Sequence, residues 1–248
     1  MKPLLCLIIA CAACRLAAAD EALPYRLHLA GDSTMADKPT DPPNPEHGWG
    51  QLLPKFFKNP AIVVNYAMNG RSTKSFIDEG RWQKLVDSLR PGDWVIIQFG
   101  HNDEKADKPQ VYAAPRGAYQ ENLRRFIRET RAKGANPILA TPVVRRSWDE
   151  SGHLKDTHGD YPDAMRAVAA EEKVPLLELN LLTAAMVNGH GVEGSKKLFL
   201  WIPAGEYKRK PEGWHDDTHA SEYGAERVAA LAVQEILRLN LPLAGQLK

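Results

Sequence analysis

The sequence predicts an α/β protein in which helices cover both faces of a five-stranded parallel sheet, a three-layer α/β/α arrangement. Three observations carry this expectation. Apolar runs of strand length alternate five times with longer amphipathic stretches, and right-handed crossovers between such strands place the helices on both faces. The run Trp94–Phe99 is almost wholly apolar, as expected of a strand buried on two sides. The chain of 248 residues is long enough for one core to hold it together, and one domain over residues 20–248 is expected.

The elements follow in order. Tyr25–Ala30 reads as the first strand and ends at Gly31-Asp32-Ser33, which is expected to turn into a helix. Gly48–Phe57 has helical character. Ile62–Ala67 is the second strand, with a loop over 68–73 behind it. Phe76–Leu89 has helical spacing, and Pro91-Gly92-Asp93 ends it. Trp94–Phe99 is the third strand. Ala118–Lys133 is a helix with Leu123, Phe126 and Ile127 on one face and Gly134 as its stop. Pro137–Thr141 is the fourth strand, Asp163–Glu172 a helix, and Leu176–Leu179 the fifth strand. A last helix is expected from Ser221 to Leu239. The proline-rich segment Pro39–Pro45, the polar insertion Ser147–Asp160 and the Gly- and Lys-rich stretch Gly189–Lys197 read as loops.

The first nineteen residues read as a signal peptide. Lys2 supplies a positive charge, an apolar run covers Leu4–Ala13, and Ala17-Ala18-Ala19 supplies small residues before Asp20. A secreted or periplasmic location follows. Ile8-Ile9-Ala10-Cys11 offers a second reading, cleavage and lipidation at Cys11, and membrane attachment is expected only in that case. Cys6, Cys11 and Cys14 all fall in this leader. Cleavage after Ala19 would leave no disulfide, no thiolate metal site and no cysteine nucleophile. The formal charge is +1, with 32 basic against 31 acidic residues. That balance argues against a nucleic-acid-coating protein. A monomer is expected.

Parallel sheets bind ligands beyond the carboxyl ends of their strands, so the residues there are the candidates for chemistry. The first strand ends in Ser33, a candidate nucleophile that could equally be a helix cap. The second strand is followed by Gly70, a turn glycine or a backbone donor to a ligand. The third ends in Gly100-His101-Asn102-Asp103, where Asn102 is either a turn residue or an amide donor to an oxyanion. Near the C-terminus, Asp216 stands three positions before His219 and is placed to accept from its Nδ1–H, freeing Nε2 to take a proton from a serine. Asp217 is less well placed. His215, Asp216, Asp217 and His219 also read as metal ligands, and Ser221 as the cap of the last helix. Taken together, these residues supply a nucleophile, a general base with its orienter, and three oxyanion donors: the Ser33 and Gly70 N–H groups and the Asn102 side chain.

Gly31-Asp32-Ser33, Asn69-Gly70, Gly100-His101-Asn102-Asp103 and Asp216-Asp217-Thr218-His219 resemble, in order, the four blocks of the GDSL/SGNH hydrolases. Gly31-Asp32-Ser33-Thr34-Met35, Gly48-Trp49-Gly50-Gln51 and Asn69-Gly70-Arg71-Ser72-Thr73-Lys74-Ser75-Phe76 are most similar to the rhamnogalacturonan acetylesterases within that superfamily. The resemblance implies a flavodoxin-like fold, a Ser33–His219–Asp216 triad, no metal or organic cofactor, and removal of acetyl groups from pectin. An acetylated polysaccharide or oligosaccharide is the expected partner. Arg71, Lys74, His101 and Trp214 are candidate substrate contacts, with Arg145 and Arg146 as further basic residues for galacturonate carboxylates. Trp49, Trp148 and Trp201 are candidate sugar-stacking rings. His153 and His158 are expected at the surface. The alternatives are an esterase for xylan, another glycan or a lipid, a metal-dependent hydrolase built on His215 and His219, and a secreted carbohydrate-binding protein without catalysis.

Overall fold

The computed structural model describes residues 24–41 and 43–248. The expected leader and cleavage site, and all three cysteines, lie outside the described residues. Five strands form a wholly parallel sheet: β1 (Leu27–Gly31), β2 (Val63–Asn65), β3 (Trp94–Gln98), β4 (Asn136–Ala140) and β5 (Leu176–Leu177), in the spatial order β2-β1-β3-β4-β5. The strand order reverses beside β1, the position at which such sheets leave a crevice for ligands.

Period-two alternation divides the core into two layers. Leu27, Leu29 and Ile96 point to one face, where they pack with α1 (Trp49–Leu52) and the C-terminal helix. Ala30, Val95, Ile97 and Phe99 point to the other. There they meet α2 (Thr73–Asp78), α3 (Arg81–Ser88), α4 (Ala118–Ala132) and α5 (Tyr161–Glu172) through Phe76, Trp82, Phe126 and Met165. Both layers are closed to water, as expected for a parallel sheet covered on two sides.

Several expectations change in detail. The single helix expected over 76–89 is two helices, because Gly80 adopts φ 69 between α2 and α3. Ser72 starts α2 earlier through a reciprocal cap with Ser75. The helix expected at 48–57 is one turn, α1, followed by a 3-10 segment that begins before Pro54. The stretch 189–197 is mainly helical: α6 (Leu179–Gly194) covers it, kinked at Gly191, and a 3-10 turn follows. The segment before the last helix is a strand. β6 (Phe199–Ile202) and β7 (Trp214–Ala220) form a two-stranded antiparallel sheet, ahead of α7 (Glu222–Arg238). Ser221 caps α7 through its Oγ, which accepts from Gly224 N at 3.1 Å. Among the described residues, no helix is long and apolar enough to cross a membrane.

Candidate active site

β1 delivers Ser33 to the sheet edge inside a tight turn. The Asp32 carbonyl accepts from Met35 N and Ala36 N at 3.2 and 3.0 Å. Its side-chain Oδ1 accepts from Thr34 N and Thr34 Oγ1 at 2.9 and 2.8 Å. This side-chain-to-backbone closure is typical of Asp in turns. It leaves Ser33 half-buried at the apex. The chain does not enter a helix there, contrary to expectation; α1 begins only at Trp49.

Trp49 is not available to a sugar ring. It is 1% exposed, and its Nε1–H donates to Gln98 Oε1 at 2.8 Å. Gln98 Nε2 in turn donates to Thr141 O at 3.0 Å. Gln51 brackets Lys38, accepting from its N–H and donating to its carbonyl, each at 3.1 Å. The Gly48-Trp49-Gly50-Gln51 block thus fixes the loop behind the serine.

β7 supplies the partner of Ser33. His219 Nε2 is 2.9 Å from Ser33 Oγ, and His219 Nδ1 is 2.7 Å from Asp216 Oδ2. Asp216 Oδ1 also accepts from Thr218 N and His219 N at 2.8 and 2.9 Å. Burial raises the Asp216 carboxyl, but the His219 and Thr218 donors outweigh it and hold the group down at about 2. An ionised Asp216 can only accept, so the proton sits on Nδ1 and Nε2 is free to accept from the Ser33 hydroxyl. The β7 end is anchored by His47 N, which donates to Ala220 O at 3.0 Å, and by Ser221 N, which donates to Leu198 O at 3.2 Å. Asp217 is engaged elsewhere. Its Oδ1 accepts from Arg146 Nη1 at 3.0 Å and Trp201 Nε1 at 2.7 Å.

The three expected oxyanion donors each keep an N–H hydrogen without an acceptor among the described residues. Neither the Ser33 nor the Gly70 N–H donates to another group among the described residues. Gly70 sits at φ 76 with open space where a Cβ would be. Backbone conformation, not crowding, demands glycine here. Asn102 is 4% exposed, and its Nδ2 donates one hydrogen to Arg71 O at 3.0 Å.

The expected substrate contacts fare differently. His101 is 3% exposed. Its ring packs edge-on to His158 at 4.5 Å and stands 3.4 Å from Asp32 Oδ2. It therefore packs against protein and, contrary to expectation, is not placed to meet a substrate. Burial pushes it down to about 4, so it is neutral at pH 7. Arg71 is tied to Glu79 at 3.0 Å and to Asn69 O at 2.8 Å, and Lys74 to Asp78 at 2.6 Å. Trp214 begins β7 and stacks on Tyr207 at 6.1 Å. Trp201 packs on His215 at 4.4 Å with Arg146 and Lys196 over its ring. His158 is 2% exposed, against expectation, and bridges Glu104 Oε2 and Val143 O at 2.8 and 2.9 Å. A cleft of about 380 Å³ is lined by Arg145, Arg146, Trp148, Trp201 and Asp217, the residue that follows Asp216 in the chain. Arg145 is paired there with Glu104. Among the described residues, no three His, Cys, Asp or Glu side chains converge to hold a metal ion.

Two lysines were not foreseen. Lys38 Nζ donates to Asn69 Oδ1 at 2.6 Å and pairs with Glu46 at 2.7 Å. Lys105 Nζ donates to Asn102 Oδ1 at 2.6 Å. A lysine three residues after a turn asparagine is a weak signal that sequence offered for the second; none marked the first.

The sequence profile of the GDSL-like lipase/acylhydrolase family matches residues 29–227. The chain belongs to this family. As a GDSL-like acylhydrolase it is a carboxylic-ester hydrolase. It is similar to the rhamnogalacturonan acetylesterase RhgT of Bacillus subtilis, with 42% identity over 90% of this chain and 94% of the relative. The probable rhamnogalacturonan acetylesterase YesY of the same organism is 38% identical over 88% of this chain and 94% of its own length. Among solved structures, the YxiM protein of Bacillus subtilis superposes with a TM-score of 0.74 at 28% identity, covering 88% of this chain. The GDSL-like chain spans 57% of that structure's length.

Proposed function

We propose that this chain is an exported carbohydrate O-acetylesterase that removes acetyl groups from pectic rhamnogalacturonan. Ser33 Oγ attacks the acetyl carbonyl carbon while His219 Nε2 takes its proton. The carbonyl oxygen becomes negative and is held by the Ser33 N–H, the Gly70 N–H and the Asn102 amide. Collapse of this intermediate breaks the bond to the sugar oxygen, which leaves with the proton from His219. Water then attacks the acetyl-serine with His219 again as base, releasing acetate and restoring Ser33. Asp216 stays ionised and orients the imidazole throughout.

The observation that carries this reading is the unbroken hydrogen-bond chain from Ser33 through His219 to Asp216. The choice of substrate is supported by the similarity to RhgT along nearly the full length of both chains. Export is supported by the composition of residues 1–19.

Acetate release from 4-nitrophenyl acetate, acetylated rhamnogalacturonan and acetylated xylan, wild type beside Ser33→Ala, tests the reading. Serine-dependent release from the first two is expected. Serine-dependent release from xylan alone among the polymers would move the substrate and keep the mechanism. Full activity in Ser33→Ala would overturn the mechanism. Mass spectrometry of the native N-terminus separates a start at Asp20 from lipidation at Cys11.

A further inference from the structure

We propose that Lys105 is a positioning residue that orients and polarises Asn102 as an oxyanion donor. This rests on the reading of Asn102 given above. The Asn102 amide is held at both ends by partners that each work in one direction. Lys105 Nζ carries only hydrogens, so the atom it meets at 2.6 Å must be the amide oxygen. The Arg71 carbonyl can only accept, so the atom 3.0 Å from it must be the amide nitrogen. The amide cannot flip without losing both bonds. Nδ2 has two hydrogens. Arg71 O takes one, and the second has no acceptor among the described residues.

The turn that carries Asn102 also places the lysine. Glu104 N donates to Gly100 O at 3.1 Å, and Lys105 N donates to Asn102 O at 3.2 Å. The Lys105 side chain therefore starts one turn from the amide it meets. Glu104 does not compete for it, because Glu104 is occupied by Arg145 and His158. Lys105 has no carboxylate partner among the described residues. Its charge falls on a neutral amide oxygen, in a site where Asn102 is closed to water. A cation on Oδ1 draws electron density from the amide nitrogen, and a polarised N–H donates more strongly to an anion. The effect is greatest when the carbonyl oxygen of the substrate becomes negative, so it acts on the rate more than on substrate binding.

Steady-state hydrolysis of 4-nitrophenyl acetate by Lys105→Met, Lys105→Arg, Asn102→Ala and the double variant Lys105→Met/Asn102→Ala tests the proposal, with thermal unfolding of each. Lys105→Met is expected to lower kcat about tenfold with KM within about twofold of wild type. Lys105→Arg, which keeps the charge, should recover kcat to within about threefold. In the Asn102→Ala background, Lys105→Met should change kcat by less than about twofold, because the lysine has lost the group it acts through. If the methionine variant is unstable, Lys105→Gln carries the same comparison.

Wild-type kcat in Lys105→Met, beside an Asn102→Ala enzyme slowed about a hundredfold, overturns the role of Lys105 and leaves that of Asn102. Equal factors for Lys105→Met in both backgrounds overturn it too, since the lysine would then act independently of the amide. An unchanged kcat in Asn102→Ala removes the underlying oxyanion reading and this inference with it.

Discussion

Asp216 holds both the backbone and the ring of His219: Oδ1 accepts the amide N–H at 2.9 Å and Oδ2 faces imidazole Nδ1 at 2.7 Å. One carboxylate thus sets the position, orientation and tautomer of the base. Asp216→Asn keeps the size of the side chain but can offer an N–H to Nδ1. That pushes the imidazole proton to Nε2, where it faces the Ser33 hydroxyl. A loss in kcat on the order of 10³–10⁴ on 4-nitrophenyl acetate is expected at pH 7. The folded carboxyl lies below its ordinary value of 3.8, at about 2. Its contribution to stability is therefore present above pH 3.8 and is lost as pH falls toward 2. Thermal unfolding across pH 2–5 checks this, since Asp216→Asn should lose that part of the pH dependence. A variant with near-wild-type kcat would remove Asp216 from the triad.

Asp217 offers the contrasting variant. It accepts from Arg146 and Trp201 and touches neither ring nitrogen of His219. Arg146 is 6% exposed and keeps Ser195 Oγ and Val192 O as partners at 3.1 and 2.7 Å. Asp217→Asn is expected to cost about 1 kcal/mol of stability while kcat stays within about threefold of wild type. Urea denaturation beside the esterase assay checks both. A loss equal to that of Asp216→Asn would assign the orienter wrongly.

Part of this site was legible because its residues follow strands of the parallel sheet. Strand-length apolar runs located β1, β2 and β3, and the residues just beyond them, Ser33, Gly70 and Asn102, followed from the parallel-sheet rule. The spacing of Asp216 and His219 marked them as a possible pair but left a metal site open as well. The spacing did not show that the pair lies on a strand, because Trp214–Ala220 is a polar run that becomes β7 only by pairing with β6. Helix α6 was masked by Gly189, Gly191 and Gly194, which argue locally for a loop while tertiary packing of Leu179 and Val187 prevails. His101 and His158 were misplaced for a related reason. A histidine in a polar segment reads as exposed, and only the fold shows that the 147–160 insertion turns His158 inward to Glu104.

Lys38 should contribute to stability out of proportion to its visibility in the sequence. Its side chain is 2% exposed and pairs with Glu46 at 2.7 Å, while Nζ also donates to Asn69 beside the Gly70 turn. Lys38→Met leaves the Glu46 carboxylate and the Asn69 oxygen without that cation. Breaking a buried pair from one side costs about 3 kcal/mol, which lowers Tm by roughly 6–12 °C in a domain of this size. Differential scanning calorimetry checks the shift. A Tm within a degree or two of wild type would show that Glu46 and Asn69 find other partners, and the pair would then be irrelevant to the fold.

Asp103 reverses the usual pH behaviour of a carboxylate. It is fully buried, and burial raises it to about 8, against the donors from Thr73 N and Oγ1 that favour its ionised form. The folded protein therefore keeps a proton that the unfolded chain releases near its ordinary value of 3.8. Stability from this group is fully present below pH 3.8 and declines as pH rises toward 8. Asp103→Asn mimics the protonated carboxyl and still offers an oxygen to both Thr73 donors. The difference in Tm between Asp103→Asn and wild type should move in favour of the variant as pH rises from 5 to 8 and level off above that. Thermal melts at three pH values in that range measure it. A difference that is constant with pH would mean that Asp103 is ionised in the folded protein, and the Thr73 donors would then outweigh burial.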